Sequence, residues 1–551
     1  MSPFEWCLVI GINGAIILFG LVKSRETKKS VDWFLAARGL PWWMIGLSMF
    51  ATAVDSGDYV AVAGESYRSG MGYISSWWLG ITIGWLVVAY VVFLPMYRMG
   101  MFTNAEYLEH RFGPITRLAS VFIQIQYRTN VLANVAYSLY LTFSLLTGWG
   151  TETWWLVVAI ALGAAVYTAA GGLKSVVVTD AMQSVVMLAA SFTLWWAVWS
   201  AVGGWDGIDT RLEQAEAGLS AKMLHVGGGT EPGTPAWLMV VGWIIVLTAY
   251  CVVNHSQAMR MLAARSEWDV KMSAVLAGTV TAGVMWFNVT LGIMGRALYP
   301  TIDQADKLFP LLVEQFLVPM QSGLAGLVIA GLIAGGISTY DSIGSSLAAV
   351  FTRDLYARFL VKQADDRHYL TVSRISTVVV IAVSFFYIPY LESGMVKFYL
   401  KLTGVAVVPL LAVYLMGILT RVHRASGTIG LLVGILCGLS RFITVLPVWW
   451  TNTWWGYLWS LGTTSAAMIV TTLVLGRANK DELRGLTLGS QPPETRSRPL
   501  SGKATWLETS QAEVPHMPVS PFDETRWYHS ATMWTVLLLV TLAVLNLIVF
   551  W

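Results

Sequence analysis

Apolar runs of about 20 residues, the length that carries an α-helix across a bilayer, recur along the whole 551-residue chain. Short polar segments separate them. Reading the runs gives about 14 spans, at 4–22, 41–68, 72–97, 116–147, 153–170, 174–201, 235–257, 268–297, 319–352, 371–391, 396–418, 425–446, 453–476 and 531–551. The pattern predicts an all-α integral membrane protein with about 14 transmembrane helices.

Composition agrees. Only 12% of residues are charged and 56% are hydrophobic, where an ordinary soluble domain has about 25% charged. The 27 Trp and 21 Tyr suit the headgroup belts at both ends of membrane helices. A net charge of +3 gives no reason to expect a nucleic-acid partner. Cys7, Cys251 and Cys437 all lie in apolar segments without metal or redox spacing and read as core thiols. Lys and Arg cluster at 23–29, 260–271, 353–367, 421–424 and 477–526. Strict alternation of spans puts all these clusters on one side, so the positive-inside rule predicts a multi-pass protein of the cell membrane with both termini outside.

Function has to be sought where polar residues break the spans, because ionisable groups there cost roughly 2.5–3.5 kcal/mol each on insertion scales. The second span reads Phe50-Ala-Thr-Ala-Val-Asp-Ser-Gly-Asp-Tyr59. Asp55 and Asp58 with Gly57 between them disfavour a continuous helix, and the flanking apolar pieces are too short to cross alone. An unwound turn frees backbone carbonyls, which a bilayer tolerates only around a cavity or an ion. The ninth span reads Gly335-Gly-Ile-Ser-Thr-Tyr-Asp-Ser-Ile-Gly-Ser-Ser346. Ser338, Asp341 and Ser342 stand at i, i+3 and i+4 on one face, with Thr339 beside them. Such hard oxygens suit hard cations, whereas helix packing accounts for Ser345 and Ser346. Asp180 lies inside the sixth span, Arg128 inside the fourth and Lys401 inside the eleventh. Each of these can serve as a structural bridge or as a substrate contact. The seventh span carries a second polar interruption, from Thr248 and Tyr250 through Asn254 to Gln257. One interrupted helix thus opens each of two five-span blocks, about 41–201 and 235–418. Odd blocks run in opposite senses, the layout of inverted-repeat transporters with a binding site between the broken helices.

These residues resemble the sodium/solute symporter family, from about Phe34 to Arg424. The most specific stretch is Gly171-Gly-Leu-Lys-Ser-Val-Val-Val-Thr-Asp-Ala-Met-Gln183. It is joined by Leu291-Gly-Ile-Met-Gly-Arg-Ala-Leu-Tyr-Pro300, Phe351-Thr-Arg-Asp-Leu-Tyr356 and the segment Asn254 to Ser266. The resemblance implies a LeuT-type core of ten helices, a 5+5 inverted repeat. It implies a Na⁺ site made by the carbonyls of Ala51, Val54 and Gly335 with the hydroxyls of Ser338 and Thr339. It further implies a second cation position at Asp180, Ser338, Asp341 and Ser342, with Asp341 a carboxylate where hydroxyls are more usual. Tyr250 matches an aromatic gate below the substrate in sugar-carrying members. Asp58 and Lys401 replace amides of those members, which favours a charged or zwitterionic solute; Asp55 and Asn254 join the expected substrate contacts. The competing reading pairs Asp58 with Lys401.

The expected organisation is an extra helix and basic loop over 1–40, the transport core over 41–424 and two further helices over 425–476. A polar linker over 477–530 and a last helix over 531–551 follow. The expected activity is Na⁺-coupled secondary active symport of a small polar solute by alternating access, with no catalytic residues. Its alternative is the same fold driven by protons. A membrane-embedded enzyme or a sensor has little support, since the seven His form no His-Glu-x-x-His motif and no signalling domain follows the last span. The expected partners are the solute, Na⁺ and membrane lipid.

Overall fold

A computed structural model describes residues 1–24, 30–74, 76–227, 234–393, 395–443, 446–490, 506–507, 510, 514 and 526–551. Among the described residues no strand forms beyond a single bridge between Leu40 and Ala264. Lipid offers no hydrogen bonds, so spanning backbone must satisfy itself within helices. Nine of those helices are long and apolar enough to cross a membrane, and the shorter broken or kinked ones are compatible with the fourteen spans expected. Phe19, Trp155, Val166, Leu473 and Ile548 are among the large apolar side chains exposed around the bundle. Water would penalise such a belt, and lipid does not.

The chain begins with α1 (Pro3–Ser24). The first five-span block follows as α2 (Trp42–Ala53), α3 (Ser56–Ser69), α4 (Ser76–Val87), α5 (Pro114–Thr147) and α6 (Thr153–Val202). Together α2 and α3 are one broken helix. Conversely, α6 is two spans joined at Gly172, whose φ of 68° and ψ of 179° are open essentially to glycine alone. A β-carbon there would also lie 2.8 Å from Trp33 Cδ1. The second block repeats the scheme. A broken helix, α7 (Ala236–Val253) and α8 (His255–Leu262), precedes α9 (Glu267–Leu298), α10 (Leu324–Ala349), α11 (Asp366–Ser384) and α12 (Met395–Leu419). Then come α13 (Ser426–Ser440), α14 (Thr453–Leu475) and α15 (Ala531–Val544). Both α1 and α10 pack along α6, α13 and α14 pack together beside α12, and α15 packs on α9.

One end of the bundle gathers many of the basic residues into ion pairs and backbone bonds that join its helices. Arg98 grips Glu267 through two bonds of 2.7 and 2.9 Å. The Leu40 carbonyl accepts from Arg265 N at 3.2 Å. Beside them Arg117 bonds Glu109 and Asp354, and Arg358 bonds Glu109 at 2.8 Å. Burial works against the Glu109 carboxylate, but the Arg358 and Arg117 guanidiniums outweigh it and hold Glu109 below its ordinary range. At the other end Arg68 bridges Glu65 at 3.0 Å and Asp306 at 3.2 Å.

Two expectations need correction. Cys7 is exposed rather than in the core, because α1 lies at the rim of the bundle and turns part of its surface to lipid. Arg260, counted among the basic loop residues, is 1% exposed within α8. The 477–530 segment falls largely outside the described residues, although Trp506 stacks on Tyr369 at 4.1 Å and donates to Asp366 at 2.9 Å.

Candidate ion and solute site

The first break is built by its two carboxylates. Asp55 caps α3, its Oδ1 accepting from Gly57 N at 2.7 Å and Asp58 N at 3.2 Å, while Asp58 Oδ2 accepts from Asp55 N at 3.1 Å. This is a reciprocal capping box. In a continuous helix those three N–H groups would serve the carbonyls of residues four earlier, namely Asp55 N to Ala51, Gly57 N to Ala53 and Asp58 N to Val54. The carboxylates divert them, so the same residues that stop α2 expose its last carbonyls.

At the second break, Asn254 Oδ1 caps α8 by accepting from Ser256 N at 3.0 Å and from Ser256 Oγ at 2.6 Å. The carbonyls set free there, Val252 and Val253, are taken by Asn104 Nδ2 at 3.1 and 3.0 Å. One break is therefore filled by an amide and the other keeps its acceptors.

Next to the open break runs α10. Thr52 Oγ1 meets Ser342 Oγ at 2.9 Å, and a β-carbon on Gly335 would touch Asp55 Cα at 3.5 Å. These two contacts bracket Ser338 and Thr339 opposite residues 51–55. Ser338 donates its hydroxyl hydrogen to Asp180 Oδ1 at 2.7 Å, which leaves its lone pairs as acceptors. Thr339 Oγ1 is wholly buried without a hydrogen-bond partner. An orphaned hydroxyl beside uncommitted carbonyls, with no compensating protein donor, is a hard-oxygen donor set of the kind that takes a small cation.

Asp341 is also fully buried. Its Oδ1 accepts from Ser342 Oγ at 3.1 Å and its Oδ2 has no partner. The four residues of the expected second cation position do come together, but Arg260 stands among them, bonded to Asp180 at 2.8 Å and to Ser342.

A cavity opens on the α3 side of the break. It is lined by Asp55, Gly57, Asp58, Trp77, Val131, Asn134, Trp243, Tyr250 and Tyr399, with smaller apolar residues between. Of the expected solute contacts, Asp55, Asp58 and Tyr250 line it. Asn254 does not; its Oδ1 caps α8. The side chain of Lys401 lies outside the described residues, so its pairing with Asp58 does too. Arg128 is 1% exposed, and none of its three nitrogens has a hydrogen-bond partner. Its guanidinium sits over the Tyr250 ring, 5.2 Å from the centroid.

The residues missed from sequence are Asn134, Trp77, Trp243, Tyr399 and Arg260. The spacing of Tyr127, Asn134 and Ser138, at i, i+7 and i+11, carried a signal for a polar face on α5. The aromatic residues carried none, because membrane helices are rich in them everywhere.

Comparison with known proteins follows the same line. A profile of the sodium:solute symporter family matches residues 33–438. Sodium/glucose cotransporter 4 of Danio rerio is 29% identical over 481 residues, covering 80% of this chain and 70% of that one. Sodium/myo-inositol cotransporter 2 of Homo sapiens is 28% identical over 470 residues, covering 78% and 68%. In structure the chain resembles a Na⁺-coupled sialic acid symporter in a substrate-bound outward-open state. The TM-score is 0.75 at 21% identity, over 87% of this chain and 99% of that one. It also resembles Mhp1, a nucleobase-cation-symport-1 family transporter in a closed conformation, with a TM-score of 0.53 at 17% identity over 82% and 97%. These likenesses show the inverted-repeat fold, and with the family match the conclusion is direct. The chain belongs to the sodium:solute symporter family, a multi-pass membrane transporter that couples a small solute to Na⁺ and is not an enzyme.

Proposed function

We propose that the chain carries a solute bearing a carboxylate, anionic or zwitterionic, and that Na⁺ binds at the break between α2 and α3. The observation that carries the solute class is Arg128. A buried guanidinium without a single hydrogen bond is costly, and Arg128 lies against the ring of Tyr250, which lines the cavity together with Asp58. A carboxylate on the solute satisfies it, and an ammonium group on the same solute suits Asp58. Two acidic residues and an unpartnered arginine are poor company for a neutral hexose, the cargo named for the glucose cotransporter relatives. Na⁺ would be held by the carbonyls of Ala51, Val54 and Gly335 and by Ser338 and Thr339. The support is the diversion of N–H groups by the capping box and the orphaned Thr339 hydroxyl.

Ion binding there ties α2 to α10 and organises the cavity above the break. Coupling then requires only that Na⁺ and solute favour the same conformations. The tied basic end faces the cytoplasm in this reading, with both termini outside the cell membrane, since the clustered Lys and Arg mark the inner side.

The test is Na⁺-dependent thermal stabilisation of purified protein across amino acids, organic acids, sugars and inositol, repeated with Arg128→Gln. A carboxylate or zwitterion should stabilise the wild type in Na⁺. The variant should lose that response and keep its response to Na⁺ alone. Stabilisation by a neutral sugar that survives Arg128→Gln would refute the solute class.

A further inference from the structure

A second cavity, of about 410 Å³, lies between α4, α9 and α15, far from the break. Two facing stripes shape it. From α9 come Thr279, Ala282, Gly283 and Trp286, spaced i, i+3, i+4 and i+7, and the last helix repeats that spacing from Leu538 to Leu545. Each stripe runs about 10 Å along its helix, so the space is a groove rather than a sphere. Water finds few partners in it, because Thr279 Oγ1 donates to the Val275 carbonyl at 2.8 Å and Thr541 Oγ1 to the Leu537 carbonyl at 2.9 Å. The last helix cannot close the gap by moving inward, since it is pinned along its length. Trp268 Nε1 donates to the His529 carbonyl at 2.6 Å, Tyr90 Oη meets Thr535 Oγ1 at 3.0 Å, and Val226 N donates to the Phe550 carbonyl at 2.6 Å.

We propose that this groove holds one acyl chain of a phospholipid, a wedge that joins the last helix to the transport core. The proposal is independent of the ion and solute readings. Thr279, Gly283 and Thr541 are exposed along the groove, and Val540 and Val544 beside them are exposed too, so its open flank faces the bilayer. Its other end is closed by aromatic rings, with Trp286 6.2 Å from Trp78 and 4.9 Å from Phe550. Trp78, in the first turn of α4, is 2% exposed, and its Nε1 has no partner among the described residues. An indole N–H only donates, and a buried one ordinarily finds an acceptor. The ester carbonyl at the head of an acyl chain is such an acceptor, and the first turn of a spanning helix lies near the depth of the lipid esters. The hydrocarbon then runs down the groove past Gly283 toward Leu538, filling a void whose walls otherwise lack contacts.

The experiment reconstitutes the full-length protein in sterol-free liposomes containing a phosphatidylcholine with a photoactivatable diazirine midway along one acyl chain. Peptide mapping after illumination reads where that chain inserts. Label should concentrate on the α9 and α15 segments that flank the groove, above the level on other lipid-facing surfaces such as α14. A β-carbon on Gly283 meets nothing within 4 Å, so Gly283→Leu fills the groove without displacing protein. Label there should fall to the level of the other surfaces, while the unfolding temperature is kept. Trp78→Phe keeps a ring, removes the donor and should also lower the label. Should Gly283→Leu fail to fold, Thr541→Phe fills the groove from the facing stripe and is read in the same way. Label spread evenly over the lipid-facing helices, undiminished label in the filled variant, or a crosslink from the groove to a second copy of the chain would overturn the proposal.

Discussion

Replacing Thr339 by valine keeps the shape of the side chain and removes one oxygen. In the structure that oxygen is buried and bonds to nothing, so two consequences of opposite sign follow. Without Na⁺, an unsatisfied buried hydroxyl costs about 1–3 kcal/mol. Valine relieves that cost, and the ion-free protein should be more stable by about 1 kcal/mol. With Na⁺, the loss is that of one oxygen partner to a full charge. Contacts to charged groups are worth about 1.5–3 kcal/mol, which is roughly a ten- to hundredfold weaker Na⁺ affinity. Thr339→Ser keeps the oxygen and should fall near the wild type in affinity. The assay is thermal unfolding of detergent-purified protein over a Na⁺ series, with K⁺ holding ionic strength constant. The Thr339→Val curve should start higher and respond to Na⁺ only at much higher concentration. A valine variant with the wild-type Na⁺ midpoint would refute the reasoning, because Thr339 would then not touch the ion. A lower starting stability would refute the claim that its hydroxyl is unpartnered.

Two further predictions concern the scaffold. Gly172→Ala forces a β-carbon into a conformation with φ of 68° and to within 2.8 Å of Trp33. It should destabilise the protein by about 2–4 kcal/mol, read as a lowered unfolding temperature, and an unchanged temperature would mean that the two spans of α6 are joined differently. Glu109 is held below its ordinary range when folded, so its contribution to stability is complete above the ordinary carboxylate range and is lost as pH falls through the lower folded pKa. Stability between pH 6 and 8 should be indifferent to it, while Glu109→Gln should cost about 3 kcal/mol at neutral pH by leaving Arg358 without its carboxylate and Arg117 with Asp354 alone. A variant as stable as the wild type at pH 7 would contradict that.

Much of this fold could be read from the chain because a bilayer leaves so few options. Runs of about 20 apolar residues are helices, and two carboxylates within four residues cannot continue one without a break. The broken helices at Asp55 and Asn254 show as polar interruptions of apolar runs, whereas the grouping of Ser338 and Ser342 with Asp180 was implied only by the family resemblance. What stayed hidden was the difference between the breaks. The Val252 and Val253 carbonyls are filled by Asn104, some 150 residues earlier, and no local pattern announces such a partner. Arg260 was obscured for a related reason. An arginine near a helix end looks like a loop charge until its acceptors arrive from three other helices. The solute cavity was half visible. Its carboxylates break the apolar pattern, but Trp77, Trp243 and Tyr399 do not differ from any other membrane aromatic.

In the proposed cycle a cation and a carboxylate-bearing solute cross together through the break at Asp55. Uptake into proteoliposomes of the solute chosen by the stability screen tests it most directly, with an inward Na⁺ gradient, an inward K⁺ gradient and a pH gradient compared side by side. The Na⁺ gradient should concentrate the solute inside, and the other two should only let it equilibrate. Accumulation driven by the pH gradient in the absence of Na⁺ would contradict Na⁺ coupling at this break.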